Sequence, residues 1–174
     1  MLVVDYQSDL NIQLDIAKLK KNLDTLKLNQ LSRLETFSRE DRDTRFQIGL
    51  RLVDLESSQG YNLQYSGNDY PTDVLSFAYQ EEIGDITSTE LTNSNIIYLG
   101  DIVVCGPILE YQAQEFGLGL EAELHLLMIH GILHLLGYDH QDSQSRDTMS
   151  NIQDQYMRLW GMDTRVFFNQ QEEK

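Results

Sequence analysis

The sequence predicts one unit in which α-helices and β-strands are interleaved. Apolar residues recur every three to four positions from Ile12 to Leu26, which is typical of an amphipathic helix. Between Phe46 and Val53 they alternate with polar residues and glycine, which is typical of a half-buried strand. No repeat, flexible linker or low-complexity tract interrupts the 174 residues. We therefore expect a single domain over residues 1–174, long enough to bury a core.

The remaining elements are predicted in chain order. Two further strands are expected at Val74–Ala78 and Ile96–Cys105. An exposed polar loop is expected between them, at Gln80–Asn95. Helices are expected from Asp54 onward, after Pro107 to about Phe116, from about Glu121 to Leu136 and from about Ser143 to Leu159. The Pro71-Thr72-Asp73 turn leads into the first of these strands, and Gly117-Leu118-Gly119 separates two of these helices.

The charge of the chain is unevenly distributed. The net charge is −15 at pH 7, and nine of the 13 Lys and Arg residues lie between Lys18 and Arg51. Residues 52–145 contain no Lys or Arg and hold 15 of the 28 acidic residues. Such a segment cannot neutralise the phosphates of a nucleic acid. Its acidic residues are also explained by their contribution to the solubility of the protein.

Secretion, a membrane span and disulfide bonding are not expected. The chain from Met1 to Asp5 lacks a basic patch followed by a long apolar stretch, so we expect a cytoplasmic protein. The longest apolar run, Leu124 to Tyr138, is shorter than the roughly 20 residues that a span needs. The single cysteine, Cys105, is expected to be a small buried residue at the end of a strand.

Residues that can bind a metal are concentrated between His130 and His140. Three of the four histidines lie in this segment. His130 and His134 lie about one helical turn apart on one face, and Gly137 can end the helix so that His140 reaches the same point. Three imidazoles with an open fourth position are typical of catalytic zinc. His125 lies about 140° around the helix from His130 and is expected to be structural.

The spacing of the three histidines is that of metzincin proteases, with one difference. Gly131 stands where those enzymes carry the glutamate that acts as general base, so proteolysis is a secondary hypothesis. Glu123 lies within about 20° of His130 on the helix, and Asp139 adjoins His140. Either carboxylate could orient an imidazole, and both are weak candidates for a catalytic role. A solvated carboxylate is the simpler interpretation of both.

Several motifs in order make the chain similar to the YbeY family of endoribonucleases. They are Asn62 and Tyr65 ahead of Gly67 and Asp69, Pro71 to Phe77, Leu99 to Val103, and His130 to His140. Together they cover about residues 46–160. Each short motif is weak alone, but their order and the glycine within the histidine motif make the combination specific.

The resemblance implies an α+β fold: a small mixed β-sheet of about four strands packed with about five or six helices, with the metal site on a helix and the turn after it. It also implies a single-strand-specific, metal-dependent endoribonuclease acting in ribosomal RNA maturation, at the 3′ end of the small-subunit RNA, and in ribosome quality control. His130, His134 and His140 would hold one zinc ion. Two mechanisms of cleavage are consistent with such a site: attack by an activated water molecule and attack by the 2′ hydroxyl of the RNA.

One position departs from the family pattern. Where the family has Asn-x-x-Tyr-Arg-Gly, this chain has Ser66, which has neither the charge nor the bidentate grip of arginine on phosphate. Three alternatives are open. RNA would reach the site through a partner or bound cations, or one of the arginines Arg42, Arg45 and Arg51 would compensate for Ser66. In the third alternative, the activity on RNA would be reduced. The expected partners are ribosomal RNA, the small ribosomal subunit and a basic ribosomal protein. The alternatives are a metalloprotease-like hydrolase and a non-enzymatic ribosome assembly factor.

Overall fold

The computed structural model describes residues 1–27, 45–79 and 96–164. The elements of these ranges are β1 (Leu2–Ser8), α1 (Ile16–Leu23), β2 (Arg45–Val53), α2 (Leu55–Ser66), β3 (Val74–Ala78), β4 (Ile96–Cys105), α3 (Gly106–Glu115), α4 (Leu120–Leu135) and α5 (Ser143–Leu159). The predicted α+β fold with a small mixed sheet is confirmed. The loop predicted at Gln80–Asn95 lies outside the described residues.

The four strands form one mixed sheet in the order β1-β2-β4-β3. Strand β2 pairs in parallel with β1 and β4, whereas β3 is antiparallel to β4. The apolar residues of β2, namely Phe46, Ile48, Leu50 and Leu52, are buried in the core. The alternation predicted for this strand is therefore confirmed, and it separates a core face of the sheet from a second face.

Two features at the amino-terminal end differ from the sequence prediction. Strand β1 was not predicted from the residues, because the consecutive apolar residues Leu2, Val3 and Val4 conceal the alternation of burial that the strand has. Helix α1 begins at Ile16 rather than Ile12. The Asp15 carboxylate accepts a hydrogen bond from the Lys18 backbone N–H at 2.9 Å and caps the helix there.

Helix α4 runs through the centre of the molecule. Thirteen of its 16 residues are buried, and it packs on strands β3 and β4. A β-carbon at Gly131 would lie 2.9 Å from Ile102 Cδ1 and 3.0 Å from Ser76 Oγ, so the helix approaches the sheet closely at this glycine. Within the described residues no single helix has the length and apolarity to cross a membrane; α3 and α4 satisfy that test only as a pair bent by 116°.

Two helical glycines provide a matched test of this packing. Gly60, in α2, is exposed, and a β-carbon there would have no neighbour within 4 Å. We expect Gly60→Ala to raise the free energy of unfolding by about 0.5–1 kcal/mol, because alanine favours the helix. Gly131→Ala is expected to lower it by about 1 kcal/mol, since overpacking outweighs the same gain. Urea unfolding of both variants measures the difference, and an equal gain at both positions would contradict close packing at Gly131.

Candidate metal centre

The turn that ends helix α4 positions the histidine motif. Gly137 has a φ of 86°, in the left-handed region that glycine adopts without strain. The Tyr138 N–H donates to the Leu133 carbonyl at 3.0 Å, and the Gly137 N–H donates to the His134 carbonyl at 3.0 Å. These two bonds form a Schellman motif, which reverses the chain direction at the end of a helix. The reversal brings His140 back to the last turn of α4.

Three imidazoles meet at this point. The potential ligand atoms of His130, His134 and His140 all lie within 4.8 Å of one another. The Nε2 atoms of His130 and His134 are 3.0 Å apart, and the rings of His134 and His140 have centroids 5.2 Å apart. His130 is buried, and the other two are partly exposed. The cluster is therefore open to solvent on one side.

The protonation of His134 suits metal binding. Its Nδ1 lies 3.0 Å from the Tyr138 carbonyl oxygen, and because a carbonyl only accepts, Nδ1–H is the donor. Nε2 of the neutral ring therefore presents its lone pair to the cluster. Burial has the largest effect on His134 and lowers its pKa, and the nearby His140 lowers it further. The hydrogen bond to the Tyr138 carbonyl and the charge of Asp139 raise the pKa by less, so it is lowered overall. The neutral imidazole is the form that binds a metal.

The arrangement fits a tetrahedral zinc ion. Zinc–nitrogen bonds of about 2.0–2.1 Å in tetrahedral geometry separate two ligand nitrogens by about 3.3 Å. The 3.0 Å between the Nε2 atoms of His130 and His134 is close to that separation. Within the described ranges, the group of potential ligands contains the three histidines and no carboxylate. Three protein ligands leave the fourth position open, which is typical of catalytic zinc.

The two candidate carboxylates have different surroundings. Glu123 is fully buried in α4, so the interpretation of it as a solvated side chain is wrong. The physical reason is that α4 is covered around almost its whole circumference, including positions two turns before the cluster. Asp139 is exposed beside His140, as expected of a solvated carboxylate. A role for either in orienting an imidazole stays a prediction.

His125 is placed on another side of helix α4. Its Nδ1–H donates to the Glu121 carbonyl at 2.6 Å, and its Nε2 lies 3.2 Å from Asn22 Nδ2, so it accepts from that amide. Its ring meets Trp160 edge to face at 5.4 Å between centroids. Burial lowers the pKa of His125, which keeps the ring neutral. These contacts join α1, α4 and the end of α5, and the histidine is not part of the metal-ligand group.

The group of potential metal ligands does not include Ser66, Arg45 or Arg51, the residues considered above for contact with RNA. Ser66 is exposed at the last position of α2, and Arg45 is exposed at the start of β2. Arg51 is also exposed, and its Nη1 donates to the Tyr61 hydroxyl at 3.2 Å. Arg42 lies outside the described residues.

The second face of the sheet carries a groove that was not predicted from the sequence. It has a volume of about 380 Å³, and the three histidines do not line it. Aromatic, acidic and basic side chains from four strands and helix α2 form its walls, among them Asp5, Arg51, Tyr61, Tyr65, Phe77 and Asp101. Periodicity along the chain marks the sheet face on which each residue lies, but not which strands lie side by side.

Comparison with known proteins identifies the family. The family model described as Endoribonuclease YbeY matches residues 10–161. The chain belongs to the YbeY family. A relative named Endoribonuclease YbeY from Macrococcus caseolyticus is 34% identical over 164 residues, which cover 93% of this chain and 97% of the relative. Another of that name, from Staphylococcus saprophyticus, is 36% identical over 135 residues, covering 76% of this chain and 86% of the relative.

A solved structure supports the fold of this YbeY family member. The solution structure of TM1509 from Thermotoga maritima is 29% identical in sequence and superimposes with a TM-score of 0.52. The match covers 92% of this chain and 90% of that one. The resemblance to the YbeY family is therefore confirmed by sequence, and its α+β fold by structure.

Metal binding provides a direct test of the cluster. We expect the purified protein to bind one zinc ion per chain, and His134→Ala to lose stoichiometric zinc because only two imidazoles remain. His125→Asn is the matched control, since it removes a histidine of the same helix that lies outside the ligand group. Elemental analysis after dialysis measures both. Equal zinc content in His134→Ala and His125→Asn would contradict the assignment of the centre.

Proposed function

We propose that this protein is a single-strand-specific, metal-dependent endoribonuclease with one zinc ion held by His130, His134 and His140. The observation that carries the proposal is the convergence of three imidazoles, with their ligand atoms within 4.8 Å, in a chain that belongs to the YbeY endoribonuclease family. We further propose that it acts in ribosomal RNA maturation, at the 3′ end of the small-subunit RNA, and in ribosome quality control.

The residues of the cluster have separable tasks in this proposal. A bound zinc ion would supply Lewis acidity at the scissile phosphate. His134 is held in the ligand tautomer by its hydrogen bond to the Tyr138 carbonyl. Of the two weak catalytic candidates, Asp139 is exposed next to His140, where a nucleophile from solvent can reach its carboxylate. Glu123 is fully buried. Asp139 is therefore the better candidate for a general base.

Packing at Gly131 argues against the protease hypothesis. A protease of this spacing needs a glutamate there, but a β-carbon at Gly131 would already lie 2.9 Å from Ile102 Cδ1. A glutamate side chain would point into the sheet rather than toward the metal. The assembly-factor hypothesis requires a closed, structural metal site. The described ligand group, with three histidines and no carboxylate, supports an open one instead.

The proposed partners follow from charge and function. Ribosomal RNA and the small ribosomal subunit are the proposed substrate and its context, and a basic ribosomal protein is a further partner. The net charge of −15, with no Lys or Arg in residues 52–145, supports a basic partner. We propose that the protein works in the cytoplasm.

Cleavage of RNA tests the proposal. We expect the zinc-loaded protein to cut a single-stranded fragment from the 3′ region of small-subunit ribosomal RNA and to leave the same sequence uncut in a duplex. His134→Ala should abolish cleavage because it removes one of the three imidazole ligands. Denaturing gels of labelled RNA over a time course provide the measurement.

The control for cleavage is His125→Asn, which leaves the ligand group intact and is expected to retain activity. Cleavage that persists equally in His134→Ala would identify a contaminating nuclease. Full zinc occupancy without cleavage above the His134→Ala level would contradict an autonomous endoribonuclease and favour an assembly factor.

Restoring the family arginine tests the effect of Ser66. We expect Ser66→Arg to strengthen RNA binding and to steepen the dependence of log affinity on log salt by about 0.7, the value for one added phosphate contact on single strands. Gln155→Arg adds the same charge at an exposed position of α5 and is the control. Salt titrations of RNA binding give both slopes, and indistinguishable slopes would refute a phosphate contact at position 66.

A further inference from the structure

The groove on the second face of the sheet has the size of a small-molecule site. Its volume of about 380 Å³ lies within the range of about 300–1,000 Å³ that is typical of such sites. Helix α2 forms one wall with Tyr61 and Tyr65, and the strands supply the floor. Tyr65, Phe77 and Asp101, which belong to three of the short sequence motifs described above, meet here. The metal cluster uses none of them.

Aromatic rings dominate one end of the groove. The rings of Tyr65 and Phe77 meet edge to face with centroids 4.8 Å apart, and Tyr61 is stacked against Tyr65 at 6.4 Å. Tyr65 keeps 59% of its surface exposed although it touches two other rings. An exposed ring held in place by its neighbours is a platform on which a planar group can stack.

Two carboxylates in the groove can accept further hydrogen bonds. Asp101 Oδ1 accepts from the Tyr98 hydroxyl at 2.6 Å, and Asp5 Oδ2 accepts from the Gln47 amide. Burial, and then the Asp101 carboxylate, raise the pKa of Tyr98, so its hydroxyl remains a donor. The second oxygen of each carboxylate accepts no hydrogen bond from the described residues. Both are acceptors for N–H groups of a ligand.

Arg51 gives the groove a positive group. Its guanidinium is exposed, donates to the Tyr61 hydroxyl at 3.2 Å and forms no ion pair with any residue in the described ranges. The ion pair between Arg158 and Asp154, at 3.9 Å, lies on helix α5. A guanidinium of this kind, beside aromatic rings, is available to an anionic group of a ligand.

We propose that this groove is a nucleotide subsite for single-stranded RNA, in which a base stacks on Tyr65 and its phosphate meets Arg51. The proposal rests on the proposed endoribonuclease function and deepens it. Asp101 would accept N–H groups of the base edge. A base in a duplex is already stacked and paired, so only a single strand can offer it. The subsite therefore favours single-stranded substrate.

The combination of groups favours a nucleotide over a basic peptide. A basic peptide would suit Asp5 and Asp101 in a chain of net charge −15, but it would bring cations against Arg51. A nucleotide uses all three kinds of side chain: rings for the base, a carboxylate for its N–H groups and a guanidinium for its phosphate. Stacking also gives affinity without added positive charge, which this chain lacks from residue 52 to residue 145.

The subsite also identifies the arginine that compensates for Ser66. Arg51 contacts Tyr61, which lies on the same helix α2 as Ser66. Tyr65 is the immediate neighbour of Ser66. The guanidinium of Arg51, on strand β2, thus lies against helix α2 and takes the place of the arginine that position 66 lacks. Arg45 is exposed at the other end of that strand and does not line the groove.

RNA binding by groove variants tests the proposal. The probe is a fluorescein-labelled single-stranded RNA of about 12 nucleotides, within the range of single-strand binding sites. It is titrated with the zinc-loaded protein and followed by anisotropy, and denaturing gels of the same samples measure the fraction of probe that stays intact. We expect Tyr65→Leu to weaken binding about tenfold through lost stacking. Tyr65→Phe keeps the ring and should retain binding. Arg51→Gln should weaken binding and flatten the salt slope by about 0.7.

Matched controls lie outside the groove. Tyr111→Leu removes an exposed tyrosine of α3, and Arg158→Gln removes an exposed arginine of α5; both should bind RNA as the unmodified chain does. A second probe with the same backbone but without bases separates the two contacts. On that probe Tyr65→Leu should cause no further loss, whereas Arg51→Gln should still weaken binding.

The outcomes are distinct. Unchanged affinity of Tyr65→Leu, or an equal loss on the base-free probe, would overturn the subsite. So would tight binding of an arginine-rich peptide that Asp101→Asn abolishes, with RNA binding unaffected, because the groove would then be a peptide site. RNA binding that depends on Tyr65, in a zinc-loaded protein that does not cleave, would support the subsite and refute the proposed nuclease. Cleavage by the zinc-loaded protein, with RNA binding unchanged by substitution of Tyr65 or Arg51, would support the proposed nuclease and refute the subsite.

Discussion

Helix α4 approaches strands β3 and β4 so closely at Gly131 that a single added carbon would lie 2.9 Å from Ile102 and 3.0 Å from Ser76. This approach buries a helix that is apolar around most of its circumference and fixes its position on the sheet. The last two turns of the helix, which carry His130 and His134, are fixed with it. The candidate metal centre is thus built on a packed element, which holds ligand geometry better than a loop does.

Much of the fold and of the candidate metal centre was predictable because the signals are local. The period-two alternation of β2, the Asp54 cap of α2 and the glycine after α4 each act within a few residues. The spacing of His130 and His134 on one helical face is also a local property. The resemblance to the YbeY family added the number of strands and the mixed sheet, which local patterns do not contain.

The remainder depends on tertiary contacts. Strand β1 pairs with β2 in the register Leu2 to Phe46, and no nearby residue in the chain indicates that pairing. Burial of Glu123 follows from the packing around α4 rather than from its neighbours in sequence. The groove takes side chains from five separate elements, so its aromatic wall and its arginine become visible only when the sheet is assembled.

The place of the histidines at the carboxyl end of α4 has an electrostatic consequence. The aligned peptide dipoles of a helix put about half a negative charge at that end. The dipole of the 16-residue helix therefore attracts a cation to the imidazoles and repels a phosphate group. In a chain of net charge −15, a polyanion meets an unfavourable potential there until a divalent cation reverses its sign. Metal loading would then act as an electrostatic gate for the approach of the nucleic acid backbone.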